Sequence, residues 1–110
     1  MALIRTGGGA SASSLTFTDI TVSGAAASKT ISDAEIGKYY LCSGAFGINT
    51  NISNVTVTGA TIEHVKDAGT NFNADGQNYR IGCMIIKATA STITFGGMAN
   101  GNYFVAVEMA

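Results

Sequence analysis

With 110 residues and a formal net charge of −1, the chain is the size of one domain. Only 12% of its positions are charged, about half the usual share of roughly 25%. Its basic residues, Arg5, Lys29, Lys38, Lys66, Arg80 and Lys87, are scattered. That excludes the grouped phosphate-neutralising surface of a nucleic-acid binder, and the many apolar residues exclude a disordered chain.

So few charges also leave little to hold a lone monomer in solution. A chain partly covered by its own copies, or by a larger assembly, suits this composition better.

The start, MALIRTGGGASASS, precedes any strand-like pattern. Its apolar stretch is far shorter than the core of a signal peptide. Nothing further along approaches the roughly 18 apolar residues of a membrane helix. Gly7-Gly8-Gly9 lacks the Lys-Ser/Thr end and following helix of a phosphate loop. Residues 1–14 therefore read as a flexible tether carrying a docking arm, Leu3, Ile4 and Arg5, and residues 15–110 as the folded domain.

Leu15 to Val22 alternates as a strand, with a shift of phase at Asp19-Ile20 that predicts a bulge or bend. Ser32 to Gly37, SDAEIG, has Ser32 as a cap, Glu35 three residues on and Gly37 as a stop, which predicts one helical turn. Lys38 to Ser43 is a strand covered on both faces, and Gly44 to Asn54 a loop. Val55–Thr58 and Thr61–Lys66 are two strands, or one bent strand, broken at Gly59.

Asp67 to Asn78 reads as a loop. Tyr79 to Thr89 is the most apolar strand and is placed at the centre of its sheet, with Tyr79, Ile81, Cys83 and Ile85 on one face and Met84 and Ile86 on the other. Ser91–Phe95 follows, then a turn at Asn100-Gly101 and a closing strand. DITVSGA at 19–25 and NVTVTGA at 54–60 are alike, as strand-and-turn composition or an internal duplication would make them. Seven or eight short antiparallel strands and one helical turn predict an all-β fold, a single β-sandwich of jelly-roll or immunoglobulin-like type.

No residue pattern indicates catalysis. His64, the only histidine, reads as a strand side chain. Asn71, Asn73, Asp75 and Gly76 resemble the first half of a calcium loop, but position twelve is Gly82 instead of a bidentate Glu. They form a weak metal candidate beside an ordinary Asn/Asp turn, and no cofactor is expected. Cys42 and Cys83 are either two free thiols acting as small hydrophobes or a disulfide between facing strands. Tyr39, Tyr40, Tyr79 and Tyr103 are candidates for a ligand-facing, sugar-binding aromatic set.

MALIRTGGG, the Gly/Ser/Ala lead, ISDAEIGKYYL and the Thr/Asn/Gly-rich β-domain together resemble small structural proteins of tailed bacteriophages: capsid decoration proteins, head fibres and tail-fibre modules. The resemblance implies a non-enzymatic virion protein made in the host cytoplasm. It implies a homo-oligomer, often a homotrimer, that partners capsid or tail proteins. A glycan- or receptor-binding module is the alternative function.

Overall fold

Strand periodicity dominates this chain because β-branched, aromatic and Thr residues fill it and Pro is absent. The computed structural model describes residues 16–24, 28–48, 51–98 and 102–109. These form β1 (Phe17–Ile20), β2 (Lys29–Ile31), β3 (Tyr39–Ile48), β4 (Thr56–Thr58), β5 (Ala60–Ala74), β6 (Gln77–Ala88), β7 (Ile93–Gly96) and β8 (Asn102–Met109). All pairs are antiparallel.

One sheet has the order β1-β8-β3-β6-β5 and the other β2-β7-β4. They enclose a shared core, in which Phe104 of the large sheet meets Phe95 of the small one at 5.0 Å between ring centres. This is the all-β sandwich that the sequence predicts. Leu3, Ile4 and Arg5, residues 25–27 and the turn at Asn100-Gly101 lie outside the described residues.

The inner face of the large sheet follows from register. Ala106, Cys42 and Met84 stand side by side across β8, β3 and β6, all buried. The expected split of β6 holds: Met84 and Ile86 are buried, while Tyr79, Ile81, Cys83 and Ile85 take the other side. The central strand, however, is β3. β6 is interior but one place from the edge.

Several local expectations are corrected. Ser32–Gly37 is no helical turn, because the Glu35 N–H that Ser32 would cap donates instead to the Tyr40 hydroxyl at 2.7 Å. A β-turn closes there, with Lys38 N–H donating to the Glu35 carbonyl at 3.1 Å. The helical turn of the described chain is a 3₁₀ turn at Ile52–Asn54, inside the segment read as a loop. The first part of that segment extends β3 to Ile48.

β1 pairs with β8 without a break, so its change of phase is not a bulge. Phe17 lies with Met109 outside, and Ile20 with Ala106 inside. The two similar heptapeptides also differ in setting, since the first leads out of β1 in the large sheet and the second forms β4 in the small one.

Asp67–Asn78 is the largest correction. Instead of a loop it is the far end of a long β5–β6 hairpin, with Ala74 opposite Gln77. Asp75 and Gly76 make the two-residue turn at φ 52° and 73°, the left-handed pair of a type I′ turn. β5 carries two irregularities, between Ile62 and His64 and between Asp67 and Asn71. The first inserts Glu63 and so brings Ile62 and Val65, three apart, opposite the inward Ile86 and Met84.

Between β4 and β5 the chain crosses from one sheet to the other at Gly59, at φ +89°. A Cβ there would overlap the Thr92 carbonyl oxygen, so no other residue makes this corner without moving β7's approach. No helix among the described residues is long and apolar enough to cross a membrane.

Candidate functional site

The outer face of the large sheet is assembled from every second residue of its five strands. One row across it runs Asp19, Val107, Leu41, Ile85, His64. The next runs Val105, Ser43, Cys83, Lys66, and the one beyond it Tyr103, Ala45, Ile81. At the other end stand Phe17, Met109, Tyr39, Lys87 and Thr61.

The three middle strands are thus mostly apolar on their outer face, Ser43 and Lys87 excepted, and the described chain lays nothing over it. Val105 is 69% exposed and Tyr103 71%. A sheet face in ordinary contact with water alternates to polar residues. This one does so mainly on its edge strands, with Ser43 on β3 and Lys87 on β6 the polar residues between them.

The four candidate tyrosines are separated by the register. Tyr40 points inward and is fully buried. Its hydroxyl accepts from Glu35 N–H and donates to a Glu108 carboxylate oxygen at 2.7 Å. Burial, with the Glu108 carboxylate adding to it, pushes this phenol up to about 12. Tyr40 is therefore a core tie and does not face a ligand.

Tyr39 lies outside at one end of the face, with the Lys87 ammonium 5.5 Å from its ring centre. Tyr79 and Tyr103 meet at the opposite end, 6.1 Å apart and tilted 58°. With Phe72 and Asp75 they line a shallow hollow of about 290 Å³. Phe72 escapes sequence reading because its segment looks like a loop; the alternation Phe72, Ala74 against Tyr79, Gln77 is the signal that marks it.

The half calcium loop serves the hairpin instead. The Asn71 side-chain oxygen accepts from Arg80 Nη1 at 3.3 Å, and Asn73 Nδ2 donates to Asn78 Oδ1 at 2.9 Å. Asp75 is in the turn itself. Among the described residues no three His, Cys, Asp or Glu side chains stand close enough to hold a metal ion. His64 is exposed on β5, opposite Ile85.

Cys42 and Cys83 are both free thiols. Cys42 pairs with Met84 and Cys83 with Ser43, so they sit on adjacent strands but point to opposite faces, and a disulfide between them is excluded by direction. Burial pushes the Cys42 thiol up to about 12.

Asp67 organises the second irregularity of β5. It accepts from Gly69 N–H at 2.7 Å and from Arg80 Nε at 3.2 Å. The Gly69 N–H first, and the Arg80 guanidinium after it, hold this carboxyl below its ordinary value. A depressed carboxyl contributes stability above its unfolded range, near pH 4, and loses it as pH falls through the folded value. Asp67→Asn is accordingly expected to speed hydrogen exchange at the Gly69 amide at neutral pH. In the parent chain the same amide should lose protection only on acidification below about pH 4. Equal exchange in both chains would remove Asp67 from this role.

Compared with protein-family models, with curated proteins and with solved structures, the chain matches none.

Proposed function

We propose that the chain is a non-enzymatic structural protein of a tailed-bacteriophage virion, a homo-oligomeric capsid-decoration or fibre-type module that docks through its N-terminal arm. The observation that carries the assembly part of this reading is the outer face of the large sheet. Val105 is exposed there and Leu41, Ile81, Ile85 and Val107 are half-buried, so each Å² of their remaining apolar surface that a partner covered would contribute about 25 cal/mol. A contiguous apolar sheet face that the described chain leaves open is the kind of surface at which proteins associate. The phage setting is supported by the resemblance of MALIRTGGG and ISDAEIGKYYL, and the arm by its apolar Leu3 and Ile4 ahead of a Gly-rich lead.

Light scattering tests the assembly reading. The full chain is expected to run as an oligomer, and Val105→Lys as a folded monomer that keeps the parent's circular-dichroism spectrum but melts lower and without concentration dependence. In that monomer a thiol reagent is expected to modify Cys83, on the open face, and to spare buried Cys42. In the parent oligomer both should be protected. A parent chain that stays monomeric and reacts at Cys83 would overturn the reading.

A second reading, a glycan-binding module, is favoured by one feature: Phe72, Tyr79 and Tyr103 converge on a hollow with a single carboxylate, Asp75, at its rim. Apolar walls with few polar groups suit a small ligand. A glycan-array signal lost in Tyr103→Ala would support it.

A further inference from the structure

The assembly reading leaves open what covers the outer face, and the distribution of charge across that face restricts the answer. The strand order places β3 in the middle with two strands on each side. Along the row Asp19, Val107, Leu41, Ile85, His64, the charged or titratable groups are at the two ends and are unlike. Asp19 stands on the β1 edge. On the β5 side are His64 and Lys66, with Lys87 beside them on β6. Two β5 carboxylates share that side: Glu63, which accepts from the neighbouring Thr61 hydroxyl at 3.0 Å, and Asp67, which is held by Gly69 N–H and paired with Arg80.

We propose that the face is covered by a second copy of this chain, lying face to face with its strands aligned, so that the β1 edge of each copy covers the β5 edge of the other. This rests on the assembly reading above. A twofold axis running along β3 performs the operation, and an isologous contact of this kind has to be self-complementary. The register makes it so. Asp19 of one copy comes over His64 of the other, one step from Lys66. Val107 comes over Ile85 and Val105 over Cys83, while Leu41 and Ser43 of the two copies meet on the axis. The opposite relation, β1 over β1, would lay the Asp19 edge of each copy over the same edge of the other, and the His64 and Lys66 edge over its own counterpart, like charge over like.

Size and edge structure agree. Five strands at about 4.8 Å and seven residues at about 3.4 Å give a footprint of roughly 600 Å² per copy. Two copies then bury about 1,200 Å², the lower limit of specific interfaces. Two apolar sheet faces pack aligned about 10 Å apart, as within a sandwich. Joining copies through sheet edges is a poorer route. β1 offers only four residues, and the ladder of β5 is broken twice and lined with charge, the devices that protect an edge from pairing.

Charge reversal tests the register. Asp19→Lys and Lys66→Glu lie on exposed positions and should leave the fold intact, checked by circular dichroism. Each alone places like charges together and is expected to weaken self-association roughly tenfold or more, with the defect shrinking in high salt. The double variant, and an equal mixture of the two single variants, should restore association. An oligomeric parent chain whose single variants associate normally, or whose double variant is not rescued, would overturn this register and leave the assembly reading standing. A monomeric parent chain would overturn both.

Discussion

Phe104→Ala is expected to lower folding stability by about 3–5 kcal/mol, the range for emptying a buried aromatic site. Phe104 is almost fully buried, stacks on Phe46 with ring centres 4.6 Å apart, and meets Phe95 edge-on at 5.0 Å. It is the side chain through which β8 of the large sheet touches β7 of the small one. Truncation removes both ring contacts and leaves a cavity that Gly44, beside it on β3, and Gly82, the next across on β6, have no side chain to fill. A domain of this size has only about 5–15 kcal/mol in total. Chemical denaturation should therefore show a midpoint shifted far down with an unchanged slope, the mark of lost stability without altered compactness. A change under 1 kcal/mol would mean that the sandwich is not closed through this ring.

Gly44→Ala is expected to be nearly as severe, about 3 kcal/mol, and for a different reason. Gly44 stands in the central strand at φ +136°, where an L side chain costs of order 1–3 kcal/mol in backbone strain. Its new Cβ would lie 2.5 Å from the Tyr103 carbonyl oxygen and 2.9 Å from the Phe104 Cα, both backbone atoms of β8. Backbone cannot swing away as a flexible side chain does, so β3 and β8 must part at the point where Phe104 enters the core. Tyr103 carries the end hollow, so its ring pairing with Tyr79 should be disturbed as well. The melting temperature checks the first effect. The tyrosine ring-current shifts in the NMR spectrum check the second, and an unchanged spectrum would show that the strand absorbs the methyl.

What was legible in the sequence followed from period and turn chemistry, which are local. Strand existence, the two faces of β6 and the break at Gly59 all come from side chains alternating along one segment, and alternation needs no knowledge of partners. The hairpin turn at Asp75-Gly76 was equally local. The Asp-Gly pair is a strong hairpin signal, but the surrounding Asn residues and the half calcium pattern are equally those of a loop. The turn at Ser32–Gly37 failed because a capping box is satisfied only if no better acceptor is near, and Tyr40, brought close by β3, supplies one.

The sequence by itself determined that this is a low-charge, all-β chain with apolar residues to spare, because composition and periodicity are properties of the chain alone. Tertiary structure alone decided where that surplus goes. Antiparallel register sets which residues of distant strands stand side by side, and a shift of one place exchanges the faces. It put Cys42 and Cys83 back to back, took Tyr40 inside, and gathered Tyr79, Tyr103 and Phe72 at one end. It also lined up Asp19, Val107, Leu41, Ile85 and His64, from five segments of chain, as a single row across an uncovered face.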